Sequence, residues 1–111
     1  MRWFWIDRFT VFESGRRAEA VKAVTMTEEQ IDEYFPGFPM LSPCFVIEGF
    51  AQMGGLLVCQ QSDFKSNVVL AKVSRSKIFC PARPGDVLTY RVEGQSLQPD
   101  GGLISATSHR A

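Results

Sequence analysis

The sequence is poor in the residues that build metal sites and disulfide frameworks. Its 111 residues include one histidine and three cysteines, which lie far apart at Cys44, Cys59 and Cys80. This odd number and wide spacing exclude an even disulfide framework and differ from the close pairs of a zinc site. We interpret the cysteines as buried thiols in a reducing compartment, and we expect neither a metal nor another cofactor.

The sequence also lacks an excess of charge and a long apolar run. Its 12 Lys and Arg residues balance 12 Asp and Glu residues, so it has no general attraction for nucleic acids or anionic membranes. The longest apolar region, residues 44–59, contains Glu48 and Gln52 and is shorter than the ~20 residues needed to cross a bilayer. Asp7 and Arg8 interrupt the apolar start, which therefore differs from a signal peptide. We expect a cytoplasmic protein with neither a nucleic-acid nor a membrane partner.

The composition that remains is globular, with 45% hydrophobic and 22% charged residues, and the length suits one compact domain. Residues 3–12 and 16–26 are rich in aromatic, β-branched and small apolar residues and flank a turn signal at residues 13–15. This pattern predicts a β-hairpin. One face of its second strand would carry Ala18, Ala20, Lys22 and Val24.

A long helix is predicted after a proline-rich loop. Residues 27–34 begin with cap-like chemistry that predicts a short helical turn, and the prolines and glycine of residues 35–39 exclude regular structure there. Ser42 suits an N-cap and Pro43 the first helical position, so we predict a helix over residues 43–61. The helix is apolar nearly all the way round, which is typical of a helix surrounded by protein. Gly54 and Gly55 lower helix stability and predict the close approach of another backbone.

Three further strands are predicted over residues 67–79, 87–97 and 103–109, with turn signals at residues 84–86 and 99–102. Antiparallel strands around one long helix give an α+β domain. We expect the single histidine, His109, to be an exposed residue of the last strand.

The loop and the helix start carry a recognisable signature. Residues 34–43 read YFPGFPMLSP and residues 47–52 read IEGFAQ. This resembles the pattern HFPGHPVMPG, followed by IEAxAQ, of the β-hydroxyacyl-acyl carrier protein dehydratases of fatty acid synthesis. The flanks are similar too, with IDR at residues 6–8, SGR at residues 14–16 and PGD at residues 84–86. The resemblance covers nearly the whole chain and implies the hotdog fold, an antiparallel sheet wrapped around one central helix, in a homodimer or higher homo-oligomer.

The resemblance also implies an active site. In this family a histidine removes a proton beside the thioester carbonyl, and an acid on the helix, from the other subunit of the dimer, helps the β-hydroxyl to leave as water. A backbone N–H at the helix start holds the thioester oxygen. The acid is retained here as Glu48, the histidine position is Tyr34, and the implied substrate is an acyl thioester on a carrier protein or coenzyme A. The implied substrate-binding residues are Phe35, Gly37, Phe38, Pro43, Cys44 and Gln52.

Two positions depart from the family pattern. The Tyr34 phenol has a reference pKa of about 10, against about 6.5 for imidazole, so it is a poor general base. We favour a ring that fills the space of the histidine over a phenol that donates to the thioester oxygen. Pro43 replaces a glycine and has no N–H, so the donor to the thioester oxygen is lost unless the amide of Cys44 or a neighbour replaces it. We therefore expect weak or lost dehydratase activity.

Alternatives stay open for several residues. Glu48 is either a retained acid or a carboxylate that bonds a buried backbone group or faces solvent. Ser42 is interpreted as a helix cap rather than a nucleophile, because no histidine or second acid accompanies it. Either a basic rim for an acidic carrier or solvated strand faces would account for Arg16, Arg17, Arg75, Lys77 and Arg83.

Three functions are consistent with the sequence. The leading hypothesis is a divergent hydroxyacyl-acyl carrier protein dehydratase that binds acyl thioesters with weak or lost dehydratase activity. The alternatives are an acyl thioesterase in which Glu48 orients water, as in related hotdog thioesterases, and a non-catalytic subunit that pairs with an active dehydratase. Family members usually continue into one more strand, so we expect residues 1–111 to form a single hotdog domain that lacks it and has an unpaired edge.

Overall fold

The structure is a computed structural model that describes residues 5–28, 31, 36–60, 63, 68–98 and 100–110. The elements in chain order are β1 (Arg8–Glu13), β2 (Arg17–Ala23), α1 (Pro43–Gln60), β3 (Val87–Gln98) and β4 (Gly101–Arg110). The strands form one antiparallel sheet in the order β1-β2-β3-β4, and the helix packs against β2, β3 and β4. The predicted α+β class is confirmed.

The predicted hairpin is confirmed with tighter bounds. Gly15 has a φ of 73°, and the amide of Arg16 donates to the carbonyl of Glu13 over 3.1 Å, which closes the turn between β1 and β2. Residues 5–7 and 24–26 of the predicted arms lie outside the strands. The predicted alternation is also confirmed, because the inward-facing residues of this arm are all buried: Ala18, Ala20, Lys22 and Val24.

The predicted helix is confirmed at its start, Pro43, and extends to Gln60, while Gln61 lies outside the described residues. Its environment differs from the expectation of a helix surrounded by protein. Burial is one-sided, because the sheet covers one side of α1, and Leu56 is 38% exposed. The buried positions are Gly49, Met53, Gly54, Leu57 and Val58.

The expectation of a backbone close to Gly54 and Gly55 is wrong. A Cβ on Gly54 would meet the side chain of Ile104 on β4, with Cγ1 at 3.3 Å. Among the described residues, a Cβ on Gly55 would meet only Val68, at 3.7 Å. The close backbone approach occurs at Gly49, where the carbonyl oxygen of Trp5 lies 3.2 Å from the Cβ position. Side-chain packing therefore accounts for Gly54, and Gly55 is free of such a restriction.

The strand predicted over residues 67–79 is wrong for residues 68–79, which form no strand and are exposed throughout; Asn67 lies outside the described residues. A strand requires a neighbour for its backbone hydrogen bonds, and the four-stranded sheet of this chain provides none at this segment. The exposed apolar side chains of this segment are Val68, Val69, Leu70, Val73, Ile78 and Phe79.

The last two predicted strands are confirmed and are longer than expected. Gly85 has a φ of 97°, and the amide of Asp86 donates to the carbonyl of Arg83 over 2.9 Å, which forms the predicted turn before β3. Because β4 begins at Gly101, the connection from β3 is shorter than predicted. His109 is an exposed residue of β4, as expected. The helical turn predicted over residues 27–34 lies mostly outside the described residues and stays a prediction.

The cysteine expectation is wrong in part. Cys44 and Cys80 are exposed and Cys59 is half-buried, so none of the three is fully buried. Cys44 lies at the exposed start of α1, and Cys80 ends the exposed segment before the turn at Gly85. Within the described ranges, no helix has the length and apolar character to cross a membrane.

Candidate active site

The loop that carries the signature is held at both ends. The amide of Ile31 donates to the carbonyl of Glu28 over 3.2 Å, and the amide of Met40 donates to the carbonyl of Ile31 over 2.9 Å. Leu41 then donates to the carbonyl of Ala82 over 2.8 Å, and Ile31 and Leu41 are both buried. These bonds fix the described part of the loop, residues 36–41, relative to the sheet.

A buried ion pair holds Glu28, whose carbonyl accepts from the amide of Ile31 before this loop. The Lys22 ammonium bonds to Oε1 of Glu28, and the two side chains are 7% and 18% exposed. Asp7 lies 3.9 Å from the same ammonium and accepts from the amide of Ala23 over 2.7 Å. Sequence reasoning missed this pair. The signal was there, because a lysine on an apolar strand face requires a buried anion.

Tyr90 on β3 belongs to the same region. Its side chain is fully buried, and neither its hydroxyl nor Oε2 of Glu28 has a hydrogen-bond partner among the described residues. Burial raises the pKa of the phenol far above its ordinary value, and the negative charges of Asp7 and Glu28 raise it further. Tyr90 is therefore a neutral phenol at physiological pH.

The first amide hydrogens of α1 are bonded to Ser42. The Cys44 amide donates to Oγ of Ser42 over 3.2 Å, and the Phe45 and Val46 amides donate to the Ser42 carbonyl over 2.9 and 3.4 Å. Pro43 has no N–H. Ser42 is therefore the N-cap, as predicted, and the Cys44 amide does not stand free to replace the missing donor.

Glu48 points away from the sheet. It lies nine positions before Leu57, which is two and a half turns at about 3.6 residues per turn, and Leu57 is fully buried on the sheet side. The Glu48 side chain is half-buried on the opposite side. Among the described residues, none forms a hydrogen bond or an ion pair with its carboxylate. A carboxylate in this position is available to a ligand or a second chain.

The side chain of Gln52 forms a hydrogen bond with the backbone of Trp5. Its Oε1 accepts from the amide of Trp5 over 3.0 Å, and the Trp5 ring stacks on Phe45 with centroids 4.2 Å apart and an interplanar angle of 7°. Trp5 is 5% exposed and also packs against Gly49. The stretch before β1 is thus fastened along α1. Sequence reasoning placed Trp5 in a strand and missed this contact, for which the glycine at position 49 was the only sign.

Phe38 lies in the loop beside an arginine from the turn before β3. The guanidinium carbon of Arg83 is 4.5 Å from the centroid of the Phe38 ring. Two of the other basic residues expected at a rim, Arg16 and Arg17, pair instead with Glu13 and Glu19 on the sheet. The remaining two, Arg75 and Lys77, belong to the exposed segment 68–79.

The predicted site residues therefore divide into three groups. Pro43, Cys44, Glu48 and Gln52 lie on α1, and Gly37 and Phe38 lie in the loop that precedes it. Tyr34 and Phe35 lie outside the described residues, so their roles stay predictions. In the part of the chain that the structure describes, no group of three or more His, Cys, Asp and Glu residues is placed to hold a metal ion.

An antiparallel sheet packed on one long helix, with a Pro-Gly loop before the helix and an acid on it, defines a hotdog protein. The chain belongs to the FabA-like domain family, whose model matches residues 3–110. This confirms the predicted hotdog fold and the dehydratase family to which the resemblance pointed.

Three curated relatives carry the name 3-hydroxyacyl-[acyl-carrier-protein] dehydratase FabZ. The protein of Campylobacter fetus subsp. fetus is 35% identical over 79% of this chain and 64% of its own length. That of Caldicellulosiruptor saccharolyticus is 30% identical over 94% of this chain and 75% of its own length. That of Clostridioides difficile is 32% identical over 94% and 74%. The chain thus spans less than two thirds of the length of the Campylobacter relative.

Proposed function

We propose that this chain is a divergent member of the hydroxyacyl-acyl carrier protein dehydratases of fatty acid metabolism. It binds acyl thioesters on a carrier protein or on coenzyme A, and its dehydratase activity is weak or lost. The names of the relatives support the substrate class. The Glu48 carboxylate lies on the side of α1 away from the sheet and has no partner among the described residues, which supports a retained role for the acid.

The bonding of the helix start carries the proposal of low activity. Stabilising the charge on a thioester oxygen requires preorganised donors, and the loss of one such donor lowers rates by about 10²–10³. Here Pro43 has no N–H, and Ser42 accepts the amide hydrogens of Cys44, Phe45 and Val46. The helix start consequently has little to offer a thioester oxygen.

The remaining chemistry is limited by proton removal. In dehydration, the bond from the β-carbon to its hydroxyl breaks, and that oxygen takes a proton from Glu48 to leave as water. The carbon beside the carbonyl must also lose a proton to a base. A neutral phenol at Tyr34 is a poor base at pH 7, and losing a general base lowers rates by about 10²–10⁴. Glu48 alone therefore supports half of the reaction.

We further propose that residues 1–111 act as one hotdog domain within a homodimer. Glu48 points away from its own sheet, so a ligand next to it requires a second wall. The exposed segment 68–79 carries apolar side chains such as Val69 and Phe79, which are 82% and 91% exposed. Large apolar side chains that are exposed together on one short segment are typical of protein interfaces. A second copy of the chain would cover it.

The test is the hydration of crotonyl-coenzyme A by the purified chain, beside Tyr34→Phe and Glu48→Gln. We expect the three proteins to show the same near-background turnover while all bind an unreactive thioether analogue of butyryl-coenzyme A. Turnover that either substitution abolishes would overturn the proposed loss of activity. Absence of analogue binding would overturn the proposed substrate class.

Two alternatives give distinct results in the same samples. A thioesterase releases free thiol from acyl-coenzyme A in a reaction that Glu48→Gln abolishes. A non-catalytic subunit co-purifies from its host with a relative that carries the histidine, rather than as a homodimer.

A further inference from the structure

The backbone of Arg83 is fixed on both sides. Its amide donates to Oδ2 of Asp86 over 2.9 Å, and the amide of Asp86 donates back to its carbonyl over 2.9 Å. This turn is bonded to the end of β2, because the amide of Gly85 donates to the carbonyl of Val24 over 2.9 Å. On the other side, Ala82 pairs with Leu41. Arg83 is thus held beside the loop that precedes α1.

The side chain of Arg83 is oriented as well. Its guanidinium carbon lies over the ring of Phe38, 4.5 Å from the centroid, and the N–H donors of a guanidinium lie in one plane and point outward from its edge. Phe38 is itself 37% exposed. The pair therefore presents a planar set of donors at the margin of the candidate site.

Arg83 differs from most arginines of the sheet in its electrostatic surroundings. Its guanidinium forms no ion pair with a carboxylate of the described residues. Arg16, Arg17 and Arg91 each pair with a glutamate, and Arg110 lies 3.9 Å from Asp86. Asp86, the acid closest to Arg83 in sequence, is engaged by the Arg83 amide and by Arg110. An oriented cation without a counterion is the arrangement that an anionic ligand requires.

We propose that Arg83 binds the phosphate of the phosphopantetheine arm that carries the acyl thioester. This rests on the proposed function, which brings an acyl thioester to this loop. Coenzyme A and acyl carrier proteins share this phosphate, and the planar N–H edge of arginine matches phosphate oxygens in a bidentate manner. Arg83 thus holds the arm at the loop margin while the acyl group enters the site.

The test compares unreactive S-butyl thioethers of pantetheine, 4′-phosphopantetheine and coenzyme A by calorimetry. We expect the phosphate to tighten binding about tenfold in the natural chain. Arg83→Gln should remove this gain and leave the affinity for S-butyl pantetheine unchanged. Arg83→Lys should recover part of the gain, because an ammonium is a point charge. Arg8→Gln is the matched control, because Arg8 is an exposed arginine of β1 and forms no ion pair among the described residues; this variant should retain the full gain.

Three results distinguish a failure of the proposed role of Arg83 from a failure of the proposed function. A phosphate gain that survives Arg83→Gln, or that Arg8→Gln removes equally, overturns the proposed role of Arg83 and leaves acyl-thioester binding intact. If no thioether binds, the proposed function fails, and phosphorus-31 line broadening of free 4′-phosphopantetheine decides the role of Arg83. If the natural chain and Arg83→Gln broaden the phosphorus-31 line equally, the proposed role of Arg83 is overturned. Repeating the comparison with a butyl-phosphopantetheinyl carrier protein shows which source of the shared phosphate binds more tightly.

Discussion

The ammonium of Lys22 and the carboxylate of Glu28 form an ion pair that joins the buried face of β2 to the connection leading to the candidate site. Because the carbonyl of Glu28 also holds Ile31, and Ile31 holds Met40, the pair stabilises both the core and the base of the loop.

Replacing Lys22 with Met should strongly destabilise the fold. The substitution leaves the Glu28 carboxylate, 18% exposed, without its cation, and removing one partner of a buried pair costs about 3–5 kcal/mol. Urea denaturation measures the loss. The double variant Lys22→Met with Glu28→Leu should recover most of it, because an apolar pair leaves no uncompensated charge. A double variant no more stable than Lys22→Met would contradict this account.

Tyr90 should make stability depend on alkaline pH. Burial raises its pKa in the folded state above the ordinary value of 10.0, so the unfolded chain loses the phenolic proton first. The free energy of unfolding is therefore highest below pH 10 and falls as the pH rises above it, by up to about 1.4 kcal/mol per pH unit. Urea titrations at several pH values between 8 and 11 measure this fall.

Tyr90→Phe is the matched comparison for this pH dependence. The variant should lose the contribution of this phenol and unfold with nearly the natural free energy at pH 7, since the hydroxyl has no partner among the described residues. Identical alkaline slopes in the two proteins would show that Tyr90 ionises at its ordinary pKa in the folded state.

Alanine substitutions at Gly49 and Gly55 should have opposite signs. A Cβ at Gly49 would lie 2.8 Å from Cε2 of the buried Tyr90 ring and 3.2 Å from the carbonyl oxygen of Trp5. Overpacking of this kind costs about 1–3 kcal/mol. This cost outweighs the gain in helix propensity, which is at most about 1 kcal/mol. Of the residues that the structure describes, a Cβ at Gly55 meets only Val68, at 3.7 Å, so that variant keeps the gain. Thermal unfolding of both variants decides the matter, and equal shifts would count against the observed packing.

Tyr34→His combined with Pro43→Gly should restore dehydratase activity. The imidazole supplies a general base and the glycine supplies an N–H at the first helical position, each worth about 10² or more in rate. Hydration of crotonyl-coenzyme A measures the gain, and adding Glu48→Gln should abolish it. A folded double variant without turnover would mean that the site has diverged beyond these two positions.

Val69→Lys should weaken the proposed homodimer. Val69 is 82% exposed in the single chain, and a charge at an apolar interface is unfavourable. Leu103→Lys on β4 is the control, because Leu103 is also apolar and 59% exposed but lies outside segment 68–79. Sedimentation at several concentrations should show dissociation of the first variant and not of the second. Equal behaviour would place the interface elsewhere.

The parts of the fold that local chemistry determines were predictable from the sequence. Ser42 and Pro43 mark the start of α1, and the alternation around Lys22 identifies the buried face of β2. Segment 68–79 was not predictable, because its β-branched residues favour a strand, but whether a strand forms depends on a hydrogen-bonding neighbour in the sheet. The ion pair of Lys22 was missed for a related reason, since its partner lies on the other side of a turn.

The sequence signature predicted which residues lie at the candidate site. It did not predict the contacts that these residues make. The signature located Glu48 and Gln52 on α1, but only the structure shows that Gln52 accepts from Trp5. The contact of the Arg83 guanidinium with the Phe38 ring left no sign in the sequence, because it depends on the pairing of Leu41 with Ala82.

The hydrogen bonds between Ser42 and the first amides of α1 stabilise the helix, but they also compete with a ligand for the same amides. Every amide hydrogen bonded to a cap is withdrawn from any ligand that approaches the same end of the helix. The Ser42-Pro43 pair strengthens the start of α1 and at the same time leaves fewer backbone donors there for a ligand. Selection for a durable scaffold and selection for turnover would thus act in opposite directions on the same two residues.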